Sequence, residues 1–157
     1  MILHLIRHAN AMIKSTSGKD FDRTLSVKGR VEAKLLQTFV NTIELFNTDI
    51  YISSSQRTME TSSIALTNEL FSNAVYLDEL YLASSEMLLK FITELNTEKD
   101  ILLIGHNEGI SALASYLTNQ YVGLGTANYV GIDFPFINSK LISNGNGTII
   151  RFFEPNS

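Results

Sequence analysis

The chain opens on Ile2–Ile6, a continuous apolar run broken only by His4. An uninterrupted run of this length is the signature of a strand buried on both faces of a parallel sheet. Ile101–Ile104 shows the same pattern most clearly. Shorter runs at Ile50–Ile52 and Val75–Leu77 read as two more strands. Tyr129–Phe134 and Thr148–Phe153 complete the set and flank a Gly/Asn turn region, which suits antiparallel pairing of the last two. Between the strands the period becomes helical. Ser26 is placed to cap a helix in which Val27, Val31, Leu35, Phe39 and Ile43 recur at spacing four, with Leu36 and Val40 beside them. That spacing predicts a long amphipathic helix with this stripe on the core. A second helix is expected from about Gln56 to Leu70, with a weaker apolar face. Leu88, Phe91, Ile92 and Leu95 mark a third behind Ser84 or Ser85, and Ile110, Leu113, Ala114 and Leu117 a fourth. Asn10–Asp22 is polar and aperiodic and reads as a loop. Strands alternating with helices imply a layered α/β fold around a largely parallel sheet.

Composition narrows the function. A length of 157 residues suits one domain spanning 1–157. With 45% hydrophobic and 18% charged residues, the chain is not disordered. Lys and Arg number 12 against 16 Asp and Glu, a net charge of -4, which argues against a nucleic-acid partner and requires any anion site to be local. The absence of cysteine excludes disulfides, thiolate zinc sites and Cys nucleophiles. Arg7 follows the first apolar run too early for a signal peptide, and no run approaches the roughly 20 residues that span a bilayer. The expectation is a cytoplasmic protein with no membrane partner.

Only three histidines occur, and two of them fall where predicted strands end. The first strand ends in Arg7-His8-Ala9, the second in Ser53-Ser54-Ser55-Gln56-Arg57, and the Ile101 strand in Gly105-His106-Asn107. Ligands of open α/β sheets bind beyond the carboxyl ends of strands. If these strands are parallel neighbours, two guanidiniums and two imidazoles converge there. Forked guanidinium donors match phosphate oxygens. A neutral imidazole can attack phosphorus, splitting one displacement into two, while a cationic neighbour would serve as donor to the phosphoryl oxygens. His8 and His106 would then need opposite protonation states. Each segment alone has a plain structural reading; the conjunction carries the inference. His4, inside its strand, reads as scaffold.

These residues resemble the histidine phosphatase superfamily, the phosphoglycerate-mutase-like fold, in its small SixA-like branch. The Arg-His-Gly signature appears as Arg7-His8-Ala9. The Asp-x-x-Arg-Pro-Leu-Thr signature appears as Asp20-Phe21-Asp22-Arg23-Thr24-Leu25-Ser26, followed by Gly29. Ser-Pro-x-x-Arg-Ala-x-x-Thr appears as Ser53 to Thr61 with Ser54 for proline, and Gly-His-Asn-Pro-Gly as Gly105 to Gly109 with Glu108 for proline. The resemblance implies a three-layer α/β/α sandwich with a mostly parallel central sheet. It implies a metal-independent phosphatase with no cofactor, in which His8 is the phosphorylated nucleophile and Arg7, Arg57 and His106 clamp the phosphoryl group. It places Arg23, Asn10 and Ser53 at the substrate, Asn10 alternatively capping its loop. Glu79 is the candidate acid, with Asp78 in reserve. The expected partner is a phosphohistidine on a phosphotransfer or phosphorelay protein, because a chain this short has no room for the insertions that cap larger members. A small phosphorylated metabolite is the alternative substrate. A binding module without turnover is the alternative of a different class, and the complete Arg7, His8, Arg57 and His106 set argues against it.

Overall fold

A computed structural model of the chain describes residues 1–155. Six strands form one sheet in the order β3-β2-β4-β1-β5-β6. They are β1 (Ile2–Arg7), β2 (Thr48–Ser53), β3 (Val75–Leu77), β4 (Asp100–Gly105), β5 (Tyr129–Asp133) and β6 (Thr148–Phe153). The strands β1 to β4 run parallel, and β5 pairs antiparallel with both β1 and β6. Five helices cover the sheet: α1 (Val27–Val40), α2 (Gln56–Ala65), α3 (Asn68–Ser72), α4 (Ser85–Glu94) and α5 (Gly109–Thr118).

Each apolar strand supplies both faces, as the period of two demands. In β4, Ile101 and Leu103 join Leu3 and Leu5 in a core under α4 and α5. Leu102 and Ile104 point the other way and join Ile6, Ile50 and Ile52 under α1 and α2. The result is the expected three-layer α/β/α sandwich. His4 is scaffold, as read: it is buried, and its Nδ1 lies 2.7 Å from the Tyr129 hydroxyl. Phe134 is core, with Phe136 packed beside it. Among the described residues no helix is long and apolar enough to cross a membrane.

Two expectations are corrected. The Gln56–Leu70 helix is two helices. Leu66 leaves helical geometry and buries its side chain, and Thr67 then caps α3 by accepting from the Leu70 N–H. The buried face of α1 is the expected one only in its second half. Ser26 does cap the helix, accepting from the Gly29 N–H at 3.0 Å, and Leu36 and Val40 are buried with Phe39 and Ile43 packed against the same core, yet Val27 is 84% exposed and Val31 50%. In its first half the helix buries Gly29, Glu32 and Ala33 instead. Its first turns press on the backbone after β1, where a Cβ on Gly29 would stand 1.9 Å from the Asn10 carbonyl oxygen. Small residues and a hydrogen-bonded glutamate fit that contact; valines do not.

Candidate active site

Strand register brings the chemistry together. Arg7 on β1 pairs with Gly105 on β4, and Ile52 on β2 pairs with Ile104 on β4. Because β4 lies between β1 and β2, the residues just past these three ends share one edge of the sheet. His8, His106 and Arg57 therefore meet. The two imidazole centroids are 5.1 Å apart, and Arg57 Nε donates to His8 Nε2 at 3.2 Å.

His8 is held in a defined tautomer. Its Nδ1 lies 2.7 Å from the Ala9 carbonyl oxygen, which can only accept. Nδ1 therefore carries the proton and Nε2 presents a lone pair. Burial, reinforced by the charges of Arg57 and Arg7, pushes the His8 pKa down to about 4, so the ring is neutral at pH 7. Burial, followed by the influence of His8 and Arg57, pushes His106 down to about 3. The opposite protonation states expected from sequence are thus not the resting condition: both rings are neutral. A phosphoryl dianion between them would supply the negative charge that favours protonating one.

Two buried side-chain nitrogens beside His8 have no partner, Arg7 Nε, a donor, and His106 Nδ1. Arg7 Nη1 donates to the Leu124 carbonyl at 2.8 Å, which also accepts from Asn107 Nδ2 at 3.1 Å. Ser53 is fully buried, and its Oγ lies 2.8 Å from His106 Nε2. It orients His106 rather than facing a ligand.

The remaining expected residues are placed as follows. Asn10 takes the capping alternative: its side-chain oxygen accepts from Ser26 Oγ at 2.7 Å, and its N–H donates to the buried Glu32 carboxylate at 2.8 Å. Arg23 donates to the Asp20 carboxylate at 2.7 Å, and its charge adds to the lowering of the His8 pKa. Glu79 is exposed, outside the hydrogen-bonded cluster around His8, in a cavity wall with Met87 and Lys90 of α4. Asp78 accepts from the Ser54 hydroxyl.

The sequence reading passed over Asp20 and Tyr81. Arg57 donates to the Asp20 carbonyl oxygen at 2.8 Å and to its carboxylate at 3.0 Å. Tyr81 donates to the same carboxylate at 2.5 Å, stands edge-on to His106 at 5.5 Å, and lies 5.7 Å from the Arg57 guanidinium. The Tyr81 hydroxyl and Arg23 hold the Asp20 carboxyl well below the usual carboxylate range. The acidic member of Asp20-x-x-Arg23 was the available signal.

The sequence matches no family model, and no curated protein sequence matches it. Solved structures do match along the whole chain. A protein assigned as the phosphohistidine phosphatase SixA of Agrobacterium tumefaciens superposes with TM-score 0.78 at 25% identity, covering 98% of both chains. The fold is that of the histidine phosphatase superfamily. Within it, the protein histidine phosphatase SixA complexed with tungstate gives TM-score 0.76 at 19% identity over 97% of this chain and 96% of that one. The phosphoserine phosphatase of Entamoeba histolytica gives 0.66 at 13%, over 98% and 97%. The likeness is thus to the small SixA-like form of the histidine phosphatase fold.

Proposed function

We propose that this chain is a metal-independent phosphatase that works through a phosphorylated His8 and removes phosphate from phosphohistidine on a phosphotransfer protein. The observation that carries the reading is the unpartnered buried guanidinium donor Arg7 Nε, with the unpartnered His106 Nδ1, beside a neutral imidazole. Buried polar groups are rarely left unpaired, so a cationic donor without a partner in a strand-end cradle calls for an anion. His8 Nε2 attacks phosphorus in line, and the bond from phosphorus to the leaving nitrogen or oxygen breaks. The leaving atom takes a proton from solvent water. Water then attacks the phosphohistidine, the P–Nε2 bond breaks, and phosphate departs with the water's oxygen. Arg7, Arg57 and His106 offset the charge that develops on the equatorial oxygens. Attack by a nitrogen lone pair and charge compensation by guanidiniums need no metal, so chelator-treated protein should still hydrolyse an aryl phosphate. Activity restored only by added metal would reject this chemistry.

Phosphohistidine is preferred over a metabolite because the chain follows the SixA structures more closely than the phosphoserine phosphatase, TM-scores 0.78 and 0.76 against 0.66. The test is direct. Acid-stable quenching is avoided, and protein mixed with radiolabelled aryl phosphate is trapped under alkaline conditions that preserve phosphohistidine. Label should appear on the native chain and be absent from His8→Asn. A phosphohistidine domain and a panel of sugar and nucleotide phosphates are then compared by kcat/KM. Far faster turnover of a metabolite would transfer the function to small molecules, and no trapped label with tight phosphate binding would make the chain a binding module.

A further inference from the structure

The positive charge of this acidic chain is not spread over it. Residues 1–34 hold seven of the twelve Lys and Arg against three of the sixteen Asp and Glu, a net of +4, leaving five against thirteen, or -8, for residues 35–157. Of these seven cations Arg7 lies in the cradle and Arg23 is paired with Asp20, while Lys14, Lys19, Lys28, Arg30 and Lys34 are exposed. The Met12–Lys19 stretch joins the start of α1 through the Ala11–Leu25 bridge and the Met12 N–H to Thr24 carbonyl bond of 2.9 Å. Immediately after it, Asp20 grips Arg57 of the site. Three aliphatic positions that sequence periodicity would bury on α1 are exposed instead, Val27 at 84%, Val31 at 50% and Leu35 at 37%. Ile13, 87% exposed, stands on the adjoining stretch. On the same two segments Lys14, Lys28 and Lys34 are exposed, and Lys14 and Lys34 have no ion-pair partner among the described residues. A solvated helix face has no need of valines at spacing four, and apolar side chains rimmed by cations mark a protein contact.

We infer that the Met12–Lys19 stretch and the outer stripe of α1 form the docking face for an acidic protein domain that carries the phosphoryl group to His8. This rests on the phosphatase reading above and adds the partner's chemistry and the place where it sits. Charge complementarity selects the occupant. The rest of the molecule, at -8, repels an acidic domain, while this face attracts it beside the cradle. The exposed Phe46 offers no equivalent. It shares a cavity wall with Glu44 and Glu69 at the amino-terminal edge of β2, opposite the site.

The experiment compares two substrates. One is a purified acidic phosphotransfer domain phosphorylated on histidine with phosphoramidate, the other p-nitrophenyl phosphate. Two charge-reversing variants of exposed residues are used, Val31→Asp/Lys34→Glu on α1 and Ile13→Asp/Lys14→Glu on the preceding stretch. Each should lower kcat/KM for the domain about tenfold while leaving the small substrate within about twofold. For the native chain, kcat/KM on the domain should fall between ~0.01 and ~0.1 M salt, as the screening length shrinks from about 30 to about 10 Å. The small substrate should show little of that slope. If the domain is turned over equally well by the native chain and both variants, the docking face is wrong and the substrate class stands. If the small substrate is hydrolysed and the domain is not, the substrate class itself fails. Equal losses on both substrates in both variants also overturn the proposal, as does domain turnover unchanged while binding to anionic vesicles, or self-association, is lost.

Discussion

Arg57 divides its donors between His8 and Asp20. The two Asp20 contacts do different things. The carbonyl contact fixes the guanidinium in place, whereas the carboxylate contact competes with any phosphoryl oxygen for it. Two unit charges about 4 Å apart in water interact by about 1 kcal/mol, roughly a fivefold change in an equilibrium constant. Asp20→Asn keeps the carbonyl contact and removes the competing charge. Inorganic phosphate should then inhibit about fivefold more tightly in a competition assay, and an unchanged inhibition constant would show that Asp20 does not contest Arg57. Ser53 makes a second case. Its hydroxyl pairs with His106 Nε2 inside the protein, so Ser53→Ala leaves a buried ring nitrogen unpaired at about 1–3 kcal/mol. We expect kcat/KM on an aryl phosphate to fall about tenfold, with folding retained by circular dichroism. Full activity would mean that His106 needs no orientation from Ser53. The strand-end residues Arg7, His8, Arg57 and His106 were legible in the sequence because each follows an apolar run. Asp20 and Tyr81 were not, since they lie on or just after two short 3-10 turns 61 positions apart and meet only through tertiary packing.

At the scale of elements, periodicity located the strands and helices because burial on both faces leaves unbroken apolar runs. It failed on the first turns of α1. There Val27 and Val31 suggested one stripe, but the helix packs through Gly29, Glu32 and Ala33, while Leu36 and Val40 are buried as expected. Gly29 decides this, since a Cβ there would lie 1.9 Å from the Asn10 carbonyl oxygen and 2.8 Å from the Asn10 carbonyl carbon. Glu32 then pins the same segment, accepting from the Asn10 N–H at 2.8 Å and the Thr126 hydroxyl at 3.0 Å. In an exposed helix, Gly→Ala stabilises by about 1 kcal/mol. Here the sign should reverse. Overpacking costs about 1–3 kcal/mol, which lowers Tm by roughly 2–10 °C for a domain of this size. Asn10 lies two residues after His8, so kcat should fall along with Tm. A Gly29→Ala variant that melts higher, with full activity, would show that helix and loop separate without cost. Gly109 makes the same kind of approach to Ala83 on the other face of the sheet. Each of these helices is therefore seated by a glycine against backbone leading into or out of the site.

Over the whole molecule, all three histidines share one electrostatic condition. Burial is the largest cause for each, lowering His4 and His8 to about 4 and His106 to about 3 from an ordinary 6.5. Between about pH 4 and 6.5 the unfolded chain therefore binds protons that the folded one does not. Stability rises with pH wherever the unfolded state holds more protons. The contribution of the neutral rings is complete above the unfolded value of 6.5 and is lost as the pH falls toward the folded values. One proton amounts to about 1.4 kcal/mol per pH unit, so three rings acting together approach about 4 kcal/mol per unit inside the window. Against a typical total of about 5–15 kcal/mol, that slope exhausts the fold within a few units. Asp20, whose carboxyl is held low by Tyr81 and Arg23, withdraws its own support only at still lower pH and in the same direction. Urea melts at pH 7.0, 5.5 and 4.5 should show a steep fall in unfolding free energy, with acid unfolding complete near pH 4. His4 lies away from the catalytic cradle, so His4→Gln, in which Nδ1's partner Tyr129 keeps a polar neighbour, should flatten the slope by about one proton. Equal stability at pH 7.0 and 4.5 would mean that the rings protonate inside the fold without penalty. The neutral His8 on which the proposed attack depends would then lose its physical basis.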